Sequence, residues 1–174
     1  YQKKIIGVEL QKEIYDLGVQ SVIENKMQDS ISLLNINVVD LENYFPGNNF
    51  DVVLSNPPYF SYHNPDFVNQ NSLKSIARHE IAIHLEELIR IASYLLKDKG
   101  RFYLVHIPSR LDEIIVYAHR YHLGIKKIQF VHSKIEEAPI IVLVSLVKNG
   151  KFGTKVYPPI SIQNVQTYQN IFKN

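Results

Sequence analysis

The chain has 174 residues, 45% hydrophobic and 21% charged, with a formal net charge of +2, which is enough for one globular domain with a real core and argues against large-scale disorder. It has no cysteine, so neither disulfides nor thiolate metal sites are available, and no apolar run approaches a membrane span or a signal core. These features exclude a disulfide scaffold and a helical membrane protein, and lead to the expectation of a soluble cytoplasmic chain.

Residues 5–10, Ile-Ile-Gly-Val-Glu-Leu, read as a buried parallel strand ending on a carboxylate, followed by a helical pattern with Leu10, Ile14 and Leu17 about a turn apart. In nucleotide-binding α/β sheets an acid just past a strand accepts hydrogen bonds from ribose hydroxyls, and Glu9, with Leu10 beside it, fits that place. It equally fits an acid favoured by the dipole of the first helical turn. Residues 36–41, Ile-Asn-Val-Val-Asp-Leu, read as a second short strand ending in an acid. Asp40 is then either a ligand-facing carboxylate or a loop aspartate capping the helix before Glu42.

The chain is organised around residues 51–60, Asp-Val-Val-Leu-Ser-Asn-Pro-Pro-Tyr-Phe. Pro57 and Pro58 have no backbone donor and a fixed φ, so the chain must leave the sheet after Ser55 as a stiff extended arm. The Asn56 carboxamide oxygen and the Pro57 carbonyl offer two acceptors to an exocyclic amine. Accepting both N–H groups draws the nitrogen lone pair out of conjugation, and Tyr59 can stack on the ring that bears the amine. This chemistry suits methylation of an amino group. The plain alternative is a strand exit terminated by Pro-Pro, with Tyr59 packed locally.

Residues 60–80 follow as a polar loop rich in aromatics, with Phe60, Tyr62, His63, Phe67 and Asn71, long enough to predict a flap over a substrate. Neither His63 nor His79 has a convincing ligand spacing, and metal binding is not expected. Apolar residues at Ile81, Leu85, Leu88, Ile89, Ala92 and Leu96 predict a helix that stops at Lys97-Asp98-Lys99-Gly100. A strand over 101–106 comes next, then a helix from about Arg110 to Tyr121 opened by Pro108-Ser109. Two strands over 127–132 and 140–147 close the sheet as an antiparallel pair. Residues 148–174 contain Gly150, Gly153, Pro158 and Pro159 and read as an irregular basic tail after a domain over 1–147.

The arm sequence resembles motif IV of the class I S-adenosylmethionine-dependent amino-methyltransferases, which act on adenine N6, on other base amines or on a glutamine amide. The segments Ile-Ala-Arg78-His79-Glu80-Ile81 and His106-Ile-Pro-Ser-Arg110-Leu resemble one branch, the bacterial tRNA adenine-N6 methyltransferases that modify the adenine next to the anticodon of a valine tRNA. The resemblance runs from about Ile5 to about Pro159. It implies a Rossmann-like α/β fold with antiparallel last strands and S-adenosylmethionine as methyl donor. It implies catalytic roles for Asn56, Pro57, Pro58 and Tyr59, and a donor site formed by Glu9, Leu10, Asp40, Leu41 and Asn56. In that site Asp40 accepts the donor's adenine amino group and the Leu41 amide meets a ring nitrogen.

The family's first strand and its acidic glycine-rich turn are expected before Ile5, and none of the seven glycines forms a Gly-x-Gly that could replace them. That strand lies between those of residues 5–10 and 51–55. Without it both neighbours should present unpaired edges and apolar faces, to be covered by the missing segment or by another partner such as a second copy. Charge adds a last expectation. Residues 1–73 have four Lys/Arg against nine Asp/Glu, and residues 74–174 fifteen against eight, so Arg78, Arg110, Lys126 and Lys127 in the basic half are candidates for RNA phosphate contacts. The other readings left open are a glutamine-amide methyltransferase and a catalytically silent RNA-binding fragment.

Overall fold

The computed structural model describes residues 4–59 and 84–163. They fall into two compact units that divide between Phe45 and Pro46, a division internal to the sheet domain expected over 1–147.

In the first unit, β1 (Ile5–Val8) pairs in parallel with β2 (Ile31–Leu34), in register from Ile5↔Ile31 to Val8↔Leu34. Helix α1 (Lys12–Glu24) connects them. Leu33 fits where both partners lack a side chain. A Cβ added at Gly7 would lie 2.5 Å from one Leu33 methyl, and one added at Gly18 would lie 2.9 Å from the other, so the two glycines let helix and strand close on Leu33. No α1 residue is buried, and Ile14, Leu17 and Ile23 are 48%, 66% and 54% exposed.

The second strand lies earlier than its apolar pattern suggests. It ends at Leu34, and Val38–Asp40 form a 3-10 turn that runs into the short helix α2 (Leu41–Tyr44). Asn37 is the reason: its side-chain oxygen accepts from the Val39 N–H at 3.2 Å, a cap that diverts the backbone from a ladder.

In the second unit, β3 (Phe50–Ser55) runs parallel to β4 (Leu96–His106). Beyond β4 lie β6 (Pro139–Lys148) and then β5 (Leu123–His132), each antiparallel to its neighbour, giving the order β3-β4-β6-β5. This is the mixed sheet with antiparallel last strands that the sequence predicts. Helices α3 (Leu85–Leu95) and α4 (Leu111–Arg120) supply its core. Leu85, Leu88, Ile89 and Ala92 of α3, with Ile114 and Ala118 of α4, form one cluster with Phe102, Leu104, Val142, Val144 and Leu146 of the sheet. Along β4, burial alternates through Phe102, Leu104 and His106, as a strand with one covered face requires.

Residues 97–100 do not end a helix in the expected way, because α3 stops at Leu95 and β4 has already begun at Leu96. They form instead an irregularity in the β3–β4 register, between the pairs Phe50↔Leu96 and Val52↔Arg101. A Cβ on Gly100 would lie 2.8 Å from the Lys97 carbonyl oxygen, which explains a glycine there. The stretch expected to be an irregular tail contributes the end of β6 and two short strands, β7 (Lys155–Val156) and β8 (Ile160–Ser161), both parallel to β5.

Among the described residues β3 is the edge of its sheet and β1 pairs only with β2. Val52 and Leu54 of β3 are 53% and 75% exposed, and Ile5 of β1 is 55% exposed. Among the described residues no helix is long and apolar enough to cross a membrane.

Candidate functional site

β3 delivers the arm. Residues 56–59 leave the end of the strand without regular structure; Asn56 and Pro58 are exposed, Pro57 and Tyr59 half-buried. The Tyr59 hydroxyl turns back and donates to the Asn56 side-chain oxygen. Burial raises the Tyr59 hydroxyl above its ordinary pKa of 10.0, which keeps it a protonated donor at neutral pH. The flap residues Phe60 to Asn71, with Arg78, His79 and Glu80, lie outside the described residues.

Next to the arm stands a residue that the sequence reading did not select. His106 ends β4, the parallel neighbour of β3, two positions beyond the pair Ser55↔Leu104. Its ring centroid lies 5.2 Å from that of Tyr59, with the planes tilted by 60°, a separation within the range of paired aromatic rings. It is 1% exposed, and its Nδ1 accepts from the Ile107 N–H at 2.9 Å. Burial first, and then the Arg110 guanidinium, push its pKa below the ordinary 6.5. With Nδ1 acting as an acceptor, the proton of the neutral ring resides on Nε2. The signal was available in the sequence, because the two-residue alternation of residues 102–106 places a histidine on the covered face beside the strand that bears the arm.

Past His106, a 3-10 turn over Pro108–Arg110 leads into α4. Arg110 engages Glu113 in a forked pair, Nε to Oε1 at 2.8 Å and the terminal nitrogen to Oε2 at 2.6 Å. Its side chain is only 17% exposed. The guanidinium fork of Arg110, a candidate for phosphate contact, thus engages a carboxylate in the first turn of α4 in bidentate geometry.

Glu9, Leu10, Asp40 and Leu41 belong to the first unit. Glu9 follows β1, and its carboxylate accepts from the Gln11 N–H at 2.8 Å at the head of α1. One of its oxygens thus does the local capping work that the helix dipole favours. The Asn35 side-chain nitrogen donates to the carbonyls of both Glu9 and Leu10 at 2.9 Å, tying the segment after β1 to the segment after β2. Asp40 is exposed at the end of the 3-10 turn. Leu41 is 6% exposed, and its N–H donates to the Val38 carbonyl. That amide, expected to meet an adenine ring nitrogen, is already engaged by the turn that the sequence reading took for a strand.

Lys126 and Lys127 lie on β5 at a register shift. The Lys126 ammonium donates to the Lys151 carbonyl. The Lys127 ammonium stands 5.4 Å from the Tyr157 ring centroid, and that of Lys155 stands 4.7 Å from it. Two cations thus contact one aromatic ring beside the β5–β7 pairing Lys127↔Lys155, and Lys155 and Tyr157 were missed because their segment reads as irregular. Among the described residues there is no group of three or more His, Cys, Asp and Glu placed to hold a metal.

Comparison with known proteins places this geometry. No family model matches the chain. A tRNA1(Val) (adenine(37)-N6)-methyltransferase of Porphyromonas gingivalis is 30% identical over 146 residues, 82% of this chain and 55% of that protein. Another of the same name from Pedobacter heparinus is 31% identical over 111 residues, 64% of this chain and 46% of its own length. By sequence, the chain is similar to the tRNA1(Val) (adenine(37)-N6)-methyltransferases. It spans about half the length of these curated relatives. Its fold is that of the class I methyltransferases. A predicted O-methyltransferase of Agrobacterium tumefaciens superposes with a TM-score of 0.69 at 20% identity, over 91% of this chain and 69% of that one. A geranyl diphosphate C-methyltransferase of Streptomyces coelicolor, solved with S-adenosyl-L-homocysteine, gives 0.59 at 13% identity, over 85% and 65%.

Proposed function

We propose that this chain provides the base-holding arm, and part of the donor site, of an S-adenosylmethionine-dependent methyltransferase acting on the N6 amine of adenine 37 in tRNA1(Val). The observation behind this reading is the arm itself, a rigid Asn56-Pro57-Pro58-Tyr59 segment leaving a parallel strand, in a chain whose similarity to methyltransferases of that specificity runs over 82% of its length.

The Asn56 oxygen and the Pro57 carbonyl accept the two N–H groups of the target amine and turn its lone pair outward. Tyr59 stacks on the base, with its hydroxyl leaving Asn56 as the amine arrives. No side chain of the arm acts as a base at neutral pH: burial keeps Tyr59 protonated, and His106 Nδ1 is engaged by the Ile107 N–H. The amine proton therefore leaves to water.

The chemistry of the acceptors in the first unit fits the methyl donor. Glu9 retains a second carboxylate oxygen for ribose hydroxyls, Leu10 sets the backbone beside it, and the exposed Asp40 suits an adenine amino group, with Leu41 anchoring the turn that presents it. The donor, when bound, supplies an electrophilic methyl group. Phosphate contacts fall to the Lys127 and Lys155 region, with Lys126 beside it and Arg78 as a further candidate.

The test is to incubate the intact protein with methyl-labelled S-adenosylmethionine and unmodified tRNA, then to identify the labelled nucleoside and its position by mass spectrometry. N6-methyladenosine at position 37 is expected. Donor binding without RNA label would overturn the reading, and label on a glutamine amide of a protein would replace it with the alternative activity.

A further inference from the structure

The arm is stiff through Pro57 and Pro58, yet the orientation of the Tyr59 ring depends on the side chain's own two torsions. Two contacts restrain them, the hydroxyl donated to Asn56 and the ring pairing with His106. An amine that takes the Asn56 oxygen competes with the first. The second survives that exchange, because it involves the ring and not the hydroxyl. His106 is itself immobile. It is 1% exposed, sits in ladder register opposite Val142 of the central strand β6, and has Nδ1 tied to the Ile107 N–H.

We propose that His106 is a positioning residue for the target base: its ring, fixed in the sheet, holds the Tyr59 ring in the plane on which the adenine stacks. This rests on the reading of the arm as a base-holding device. His106 does not touch the substrate, and it acts through Tyr59. Its neutral ring suits the task, since burial and the nearby Arg110 both disfavour protonation and the tilted ring contact needs only an aromatic ring.

Two variants of the intact protein separate the ring from the hydrogen bond. His106→Asn keeps an acceptor for the Ile107 N–H and removes the ring; His106→Phe keeps the ring and removes the acceptor. His106→Asn should lower kcat for tRNA by about tenfold or more, the scale of a misplaced reacting group, while donor affinity changes by less than about twofold. His106→Phe should restore most of that loss. In a Tyr59→Ala background, His106→Asn should add no further loss, because the residue through which it acts is gone. Full turnover in His106→Asn, or an equal loss in the Tyr59→Ala background, would overturn the proposal. If His106→Phe does not fold, the double-mutant comparison decides alone.

A readout without RNA keeps this distinct from the function itself. The Tyr59 ring resonances, assigned through their loss in Tyr59→Phe, should move in His106→Asn whether or not the protein methylates tRNA. A shift without methyl transfer in the wild-type protein fails the functional reading, and methyl transfer without the shift fails the role of His106.

Discussion

The Tyr59 hydroxyl donates to the Asn56 side-chain oxygen, so the acceptor proposed to polarise the target amine is engaged by a residue of its own arm before substrate arrives. Replacing that bond with one from the amine is an exchange, and the arm is exposed enough at Asn56 for a net hydrogen bond there to be worth about 0.5–1.5 kcal/mol. Tyr59→Phe keeps the stacking ring and removes the competitor. It should leave kcat within about twofold and lower the KM for tRNA by up to about tenfold, the equivalent of that energy. Steady-state kinetics decides it, and a large fall in kcat would show that the hydroxyl takes part in the chemistry.

A second prediction concerns the methyl donor. Replacing Glu9 or Asp40 with alanine should weaken S-adenosylmethionine binding by about 1–3 kcal/mol each, the range for a hydrogen bond to a charged group. Asn35→Ala should weaken it too, by releasing the two carbonyls that hold the segment at Glu9 and Leu10. Calorimetry on the intact protein measures all three, and unchanged affinity in the Glu9 and Asp40 variants would remove these residues from the donor site.

The arm was legible in the sequence because proline constrains the backbone whatever surrounds it, and the buried stripe of α3 was legible because Leu85, Leu88, Ile89 and Ala92 recur with a helical period. The strand assigned to residues 36–41 was not legible. Its apolar residues fit a strand, while the deciding interaction was a single Asn37 side-chain cap on Val39, a local competition that hydrophobic pattern does not register. The pairing of Arg110 was out of reach for a related reason. Net charge counts an arginine as available, and the Glu113 pairing three residues on shows only when the turn of α4 brings the two together. His106 was overlooked because strand alternation shows only which face it occupies, while its ring contact with Tyr59 of the arm shows only in the folded structure.

Stability should depend on pH through His106. Its folded-state pKa is lowered, first by burial and then by Arg110, while in the unfolded chain it titrates near about 6.5. Its contribution is complete above about pH 6.5, declines as the unfolded state gains a proton that the native state resists, and is fully lost below the folded-state pKa. Thermal melting of the wild type should therefore fall further between pH 7.5 and pH 5 than that of His106→Asn. Equal falls would mean that the ring is readily protonated in place.

The basic residues should separate into two kinds. Lys127 and Lys155, facing Tyr157, should each reduce the salt slope of tRNA binding by about one when replaced with alanine, with little dependence on RNA sequence. Arg110→Ala should leave the slope unchanged and lower thermal stability, because its partner is Glu113. Titrations of tRNA at several salt concentrations distinguish them, and a slope unaffected by loss of both lysines would direct the phosphate contacts elsewhere.

The most direct test of the account is methyl transfer to unmodified tRNA by Asn56→Ala in the intact protein. Removing the carboxamide takes away the acceptor that frees the amine lone pair, and kcat should fall by about 10²–10³, the scale of losing one preorganised stabilising group at a reacting centre, while the melting temperature stays within about 2 °C because the side chain is exposed. Turnover close to wild type in a folded Asn56→Ala protein would contradict the central claim that this arm holds the target amine.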